Sequence, residues 1–393
     1  MIFGGGENQL TLIRAAKKLN LHTIVIDPDP DAPGRKLADR FFTIPPDNYE
    51  ATRKVALEHS VDAIVTSQME NPLILMARLA EDLGYRFPGP AQILNCRNKY
   101  LMKQVMVKHR IPCARGTVLK DEESPARYET DGLSYPLVIK PLESHSSRGV
   151  FIVNSYEDFL KYKGITGSYS PKRDILLEEC IPGKEYSVES LSFRGKTEII
   201  QITEKFVTPA PYTVEIGHLQ PALLSETLKN RIHELVRETT AAFKLDHCAT
   251  HIEVKVTDSG PLVIEVAARL GGDFISSLLT LASTGIDMDE ALIMISLGEA
   301  PDLSPKKKCF SYIKYLDLQP GLTVRKIMNW SRIFREPGLV HAGILIRQNQ
   351  IIPEMTDSSK RPGFVLVRGD SREEVIARAD SCLKVLKEYI VLN

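Results

Sequence analysis

Residues 252–272 constrain this chain more than any other stretch. Ile252-Glu253-Val254 and Val263-Ile264-Glu265-Val266-Ala267 are strand-like runs, and Thr257-Asp258-Ser259-Gly260-Pro261 between them has the composition of a hairpin turn. Glu253 and Glu265 share parity along that ribbon, which predicts both carboxylates on one face. Two carboxylates facing one cavity repel each other unless a cation lies between them. Hard carboxylate oxygens suit Mg²⁺, which takes one or two carboxylates together with substrate phosphates. Arg269, four residues past the second glutamate and followed by Leu270-Gly271-Gly272, adds a planar positive fork for phosphate or carboxylate.

The bulk composition narrows the context. A chain of 393 residues with 43% hydrophobic content supports two or three domains. With 50 basic and 50 acidic residues it has no field of one sign, which argues against general nucleic-acid or membrane binding. Lys306-Lys307-Lys308 beside Pro305 reads as a solvated linker. Six scattered cysteines without a CxxC pattern argue against a zinc site or a disulfide framework and fit reduced thiols in a cytoplasmic protein. No apolar run approaches membrane-spanning length, and no signal peptide is apparent.

The expected fold class is α/β with α+β. Residues 1–92 read as a parallel-sheet α/β unit: Met1-Ile2-Phe3, a glycine turn, a helix over Leu10–Leu19, strands at Thr23–Asp27 and Ala63–Thr66, and a helix over Pro72–Leu83. A three-residue first strand is short enough to read as trimmed or vestigial. Residues 93–183 combine an amphipathic helix at Asn98–His109 with a strand-rich lobe: Leu137–Pro141, Val150–Val153 and Ile175–Glu178. Residues 184–300 hold strands at Tyr186–Leu191 and Glu198–Thr203, a helix at Leu224–Phe243 and the carboxylate ribbon. Residues 301–393 read as a smaller α+β piece ending in a helix over Arg372–Tyr389.

Several segments carry both a chemical and an ordinary reading. Ser144-His145-Ser146-Ser147-Arg148-Gly149 is small and polar, so its backbone N–H groups could fold around phosphate oxygens; an ordinary hairpin loop has the same composition. Lys140 ends the preceding strand, within reach of the same phosphates or simply solvated. Lys99 faces either solvent or a cleft. Glu178-Glu179-Cys180-Ile181-Pro182-Gly183-Lys184-Glu185 suits an adenine edge and ribose hydroxyls, or an acidic surface turn. Glu215 and His218 precede the ribbon in what reads as a loop, where substrate contacts concentrate. Arg361-Pro362-Gly363-Phe364 could hold a carboxylate against the cleft or shape a turn, and the turn is the favoured reading. Gly4-Gly5-Gly6 with Asp27 mimics a dinucleotide fingerprint, but the GGGxxQ spacing is wrong for it, and no GxSxG motif exists.

Taken in order, these pieces resemble the ATP-grasp superfamily over most of the chain. The Gly4–Gly34 region is similar to the domain preceding the ATP site in biotin-carboxylase-like ligases. Asn98-Lys99 resembles the "DK" motif with Asn in place of Asp, and Pro136–Pro141 resembles the strand with the phosphate-binding lysine. Glu253 and Glu265 match metal ligands, and Arg269 the phosphate-facing arginine. Ala267 stands where many members carry an asparagine ligand. The form Glu-Val-Ala-Ala-Arg-Leu-Gly-Gly and the Gly-His-x-x-Pro at 217–221 resemble the branch of L-amino-acid ligases and related carboxylate–amine ligases.

That resemblance implies an ADP-forming enzyme using ATP and Mg²⁺, with Mn²⁺ as a substitute. It activates a small carboxylate as an acyl phosphate and joins it to an amine. Lys99, Lys140, Ser144, Ser146, Ser147, Arg148, Gly149, Glu178, Glu179, Ile181 and Glu185 would bind nucleotide, and Arg269, His218 and Glu215 would serve the reaction. The alternatives are transfer to a carrier-protein thiol and a nucleotide-binding module without ligase chemistry. The implied partners are a small carboxylate and amine, with a homodimer as the default assembly.

Overall fold

The computed structural model describes residues 1–120, 132–144 and 146–393. His145 of the small polar loop therefore lies outside the described residues.

The amino-terminal unit is a parallel sheet of β1 (Ile2–Phe3), β2 (Ile24–Asp27), β3 (Arg40–Thr43) and β4 (Val65–Thr66) in the order β3-β2-β1-β4. The short first strand is central, not vestigial: it pairs with β2 on one side and β4 on the other, and both its residues are buried. The acid that mimicked a dinucleotide motif closes the glycine turn instead, since the Gly5 amide donates to Asp27 Oδ2 at 2.7 Å. The helix at Leu73–Leu83 buries Leu73, Met76, Leu79 and Ala80 at the helical period and ends at Gly84, whose φ of +76° places it in the left-handed region that glycine favours.

Two helices follow, Pro90–Arg97 and Lys99–Lys108, where the sequence suggested one. Asn98 separates them because its backbone is extended and its side chain accepts from the amides of Tyr100 and Leu101 at 3.1 Å. Asparagine thus serves the N-cap that an aspartate would also serve. The small lobe is an antiparallel sheet of β5 (Gly116–Leu119), β6 (Leu137–Pro141), β7 (Phe151–Val153) and β8 (Ile175–Glu179), ordered β5-β8-β6-β7. Its core joins Leu137, Ile139 and Leu177 of the sheet to Phe159 and Tyr162 of the helix Tyr156–Ser168.

The large sheet contains β9 (Lys184–Phe193), β10 (Lys196–Val207), β11 (Glu215–Gln220), β12 (Cys248–Thr257), β13 (Gly260–Ala267) and β14 (Phe310–Tyr315). β15 (Val324–Ile327) leaves it; β16 (Leu339–Ile344) and β17 (Gly363–Gly369) rejoin it; β18 (Ile390–Leu392) pairs with β15. The eight-stranded antiparallel order is β13-β12-β9-β10-β11-β14-β17-β16. One expectation changes and one is extended. The small carboxy-terminal α+β subdomain shares its sheet with the preceding lobe, through β14, β17 and β16. Glu215 and His218 lie on β11, not in a loop. The last long helix, Arg372–Glu388, packs its Val375, Ala379, Cys382 and Leu386 against the back of this sheet, and β18 begins where that helix was expected to end.

Candidate active site

β12 and β13 pair in a register that sets Glu253 directly across from Glu265, with a bulge just after Glu253. Both carboxylates line one cavity of about 170 Å³ between the small lobe and the large sheet. Each is met by an ammonium group. Lys205 Nζ donates to Glu253 Oε1 at 2.6 Å, and Lys99 Nζ lies 3.2 Å from Glu265 Oε2 while donating to the Ser144 carbonyl at 2.9 Å. Lys99 is buried, so it faces the cleft and not solvent.

Lys205 escaped the sequence reading because the strand expected to stop at Thr203 runs on to Val207. The side chain is buried, which alone would favour the neutral amine. Glu253, Glu215 at 3.6 Å and Glu185 at 3.9 Å outweigh burial and raise its pKa far above the ordinary lysine value.

A second buried cluster stands on the small-lobe side. Glu178 accepts contacts from Lys140 at 2.5 Å and Lys103 at 2.7 Å, and Lys103 also donates to the Ala114 carbonyl. Burial pushes the Glu178 carboxyl up, but the two ammonium groups outweigh it and hold it below the usual carboxylate range. Lys103 was also missed, although its four-residue spacing from Lys99 on one helix puts both on one face. Lys140 is buried, not solvated. Glu179 is tied to Arg115, whose amide and Nε donate at 2.8 and 3.0 Å, and Ile181 lines the cavity beside Cys180. Glu185 sits 3.1 Å from Lys255 on the neighbouring strand.

The polar loop closes this cavity. Ser144, Ser146, Ser147 and Arg148 line it; Ser144 Oγ donates to the Arg148 carbonyl at 3.1 Å. Ser146 and Ser147 adopt φ of +63° and +57°, a left-handed turn of the kind that gathers successive amides. Gly149, at φ +72°, supports it from behind, where a Cβ would fall 2.6 Å from the Tyr169 ring.

A second cavity of about 260 Å³ adjoins the first and shares with it Ser146, Glu215, His251, Glu253 and Arg269. The amino-terminal unit contributes Gln68, Glu70 and Asn71 to its wall. Arg269 is held from that side: its Nε donates to Glu70 Oε2 at 2.6 Å and its Nη1 to the Leu270 carbonyl at 3.0 Å. Burial would raise the Glu70 pKa, but the guanidinium more than offsets this and the net shift is downward. Glu215 accepts from Ser147 Oγ at 3.3 Å and from Ser358 Oγ at 2.7 Å, joining the polar loop to the carboxy-terminal region.

His218 is buried, with Nε2 3.0 Å from Asp273 Oδ2. Asp273 is clamped by both terminal nitrogens of Arg361 at 2.7 and 2.6 Å, and that guanidinium lies 3.7 Å over the Tyr315 ring. Arg361 therefore does more than shape a turn. Nothing near it in sequence signalled a partner 88 residues away. His218 Nδ1 and Ser187 Oγ, on residues lining this cavity, are buried without a hydrogen-bond partner among the described residues.

His251 steadies the first carboxylate. Its Nε2 is 3.6 Å from Glu253 Oε1, and its Nδ1 is 2.5 Å from the fully buried Glu189. Burial disfavours the charged ring, yet Glu189 and Glu253 push its pKa up to about 9. Glu189 also accepts from Ser276 Oγ at 2.5 Å and from the Gly271 amide at 3.1 Å. A Cβ on Gly271 would fall 2.6 Å from the imidazole, so this network needs glycine there.

The donor set fits a magnesium ion that relies on its substrate. Among the described residues no three His, Cys, Asp or Glu side chains converge as a complete metal cage. Two opposed carboxylates on rigid paired strands remain, which is the protein share Mg²⁺ takes when phosphates and water complete its shell.

Three comparisons bear on this geometry. Residues 1–94 match the preATP-grasp domain of ribonucleotide synthetases, residues 133–277 the ATP-grasp domain, and residues 315–390 the L-amino acid ligase C-terminal domain 2. The chain is 29% identical over 280 residues to an alanine–anticapsin ligase of Bacillus subtilis, covering 64% of this chain and 57% of that protein. It is 25% identical over 309 residues to an L-arginine-specific L-amino acid ligase of Bacillus subtilis, covering 75% and 72%. The fold superposes on the crystal structure of an L-amino acid ligase from Bacillus licheniformis with a TM-score of 0.84, at 23% identity over 100% of this chain and 97% of that one. With these matches in order along it, the chain belongs to the ATP-grasp superfamily, among the ADP-forming amino-acid ligases and related carboxylate–amine ligases.

Proposed function

We propose that this protein uses ATP to activate a small carboxylate, an amino acid, as an acyl phosphate and joins it to the amine of a second amino acid. The observation that carries this reading is the common wall of the two cavities. Glu253, Arg269 and Ser146 belong to both, so a nucleotide in one and a carboxylate in the other would meet there.

A carboxylate is a poor electrophile, and phosphorylation supplies the leaving group. The residues' task is then positioning and charge neutralisation. Lys99 and Lys140 lie where they would neutralise the α- and β-phosphates, and Glu178 holds Lys140 in place. The turned amides of Ser146 and Ser147 would cover the phosphates and keep water from the acyl phosphate. Glu178, Glu179, Ile181 and Glu185 line the adenine and ribose end. Glu253 and Glu265 would hold Mg²⁺, which when bound supplies charge neutralisation at the phosphate oxygens. In that state Lys205 and His251 keep Glu253 ionised and oriented, and Lys99 does the same for Glu265. Arg269 faces the transferred group and the tetrahedral adduct, with its fork aimed by Glu70. Glu215 and His218 line the amine side, where the unpartnered His218 Nδ1 is available to accept a hydrogen bond from an incoming N–H.

The relatives named as amino-acid ligases support this choice of substrate class. The test is ADP release across pairs of amino acids, with mass spectrometry of the products. A peptide-bonded product formed in step with ADP supports the reading. ADP release that requires a carrier-protein thiol, and yields a thioester, would replace it.

A further inference from the structure

We propose that a cavity on the reverse face of the large sheet binds an apolar monoanion, an alkyl or aryl carboxylate. This cavity, of about 900 Å³, is separate from the two described above. On β10, Lys205 faces the catalytic cleft while the next residue, Phe206, lines the reverse cavity. The cavity exists because the helix Arg372–Glu388 covers only part of the sheet. One stripe of that helix, Val375, Ala379, Cys382 and Leu386, is packed into the core. The adjacent stripe, Ile376, Leu383, Lys384 and Lys387, lines the cavity together with residues of β10, β11 and β14.

The lining is mostly apolar, with a few placed polar groups, which is the pattern of small-molecule sites. The rings of Phe206 and Tyr312 stand 5.6 Å apart on its floor. Gly217 beneath them makes this arrangement fit, since a Cβ there would lie 2.9 Å from the Tyr312 ring and hydroxyl. Tyr312 is 5% exposed, and its hydroxyl has no hydrogen-bond partner among the described residues. Burial pushes that phenol up to about 12, so it stays a donor at neutral pH.

The charges favour an anion. Lys314 is matched by Asp380, and Arg372 by Glu204 at 2.6 Å. Lys384 and Lys387 are exposed and have no ion pair among the described residues, against one unmatched acid, Asp317. An apolar body over Phe206 and Leu383, with its carboxylate near the two lysines, satisfies these features.

The probe pair is 4-phenylbutyrate and 4-phenylbutylamine, titrated calorimetrically into the full chain saturated with a non-hydrolysable ATP analogue. The expected result is saturable binding of the carboxylate, with the amine binding more weakly. Lys384→Ala and Lys387→Ala should each weaken carboxylate binding roughly two- to fivefold, the worth of an exposed charge pair. Ile376→Trp should weaken it by narrowing the apolar wall, with ADP-forming turnover unchanged in all three variants. Both lysines are on the surface, so their variants remain informative even if the tryptophan variant misfolds. Absence of saturable binding at millimolar probe, equal affinity for the amine, or unchanged affinity in the lysine variants would overturn the proposal.

Discussion

Arg269 offers a perturbation in which structure and chemistry separate. Its side chain is 12% exposed and that of its partner Glu70 is 16% exposed, so Arg269→Ala leaves a nearly buried carboxylate without its guanidinium. Breaking a buried pair from one side costs about 3–5 kcal/mol. The low end applies here, because Lys99 and Arg97 also act on Glu70 and would remain. The same substitution removes a cation from the wall shared by the two cavities. Loss of one such transition-state contact raises the barrier by about 2.7–4 kcal/mol, or roughly 10²–10³ in rate. Adding Glu70→Gln to Arg269→Ala removes the stranded charge. The double variant should therefore regain most of the lost stability and none of the lost turnover. Urea unfolding followed by circular dichroism measures the first quantity, and ADP release at saturating ATP and amino acids the second. If turnover returned together with stability, Arg269 would be a structural residue and its proposed chemical role wrong.

The remaining predictions concern the carboxylate ribbon and its supports. Glu265→Gln should cut turnover by at least about 10²-fold with an unchanged far-ultraviolet spectrum, and should raise the magnesium concentration needed for half-maximal ATP binding. Lys205→Met strands Glu253, Glu215 and Glu185 together and should cost about 3–5 kcal/mol in urea unfolding, more than any exposed lysine. His251 keeps its proton to about pH 9 when folded and loses it near 6.5 when unfolded, so its pairing contributes fully below about 6.5 and is lost as pH rises through about 9. Melting temperatures should accordingly fall across that window, and His251→Gln should flatten the fall. Amide exchange at Ser146–Gly149 should slow when a non-hydrolysable ATP analogue is added; equal exchange in both states would argue against a phosphate lid.

What the sequence disclosed and what it hid follow from the range of the interactions. The ribbon was legible because parity along a strand is local: Glu253 and Glu265 do oppose each other. The polar loop, the strand carrying Lys140 and the helix led by Lys99 were legible for the same reason. The partners were not. Glu70 meets Arg269 across 199 residues, and Asp273 meets Arg361 across 88. No spacing rule reports such pairs. Lys103 and Lys205 went unremarked because side-chain burial depends on which face the other lobe covers. The first strand was undervalued because two residues suffice only at the centre of a sheet, where both neighbours supply hydrogen bonds. His218 was placed in a loop because β11 carries little periodic apolar pattern.

If the carboxylate attacks the terminal phosphate of ATP at the wall shared by the two cavities, one of its oxygens must leave with the phosphate. The most direct measurement follows oxygen. The amino acid that supports ADP release is supplied with a heavy-oxygen-labelled carboxylate, and the inorganic phosphate formed is examined by mass spectrometry. Each phosphate released should carry one labelled oxygen. Unlabelled phosphate, or label appearing in AMP, would contradict that attack.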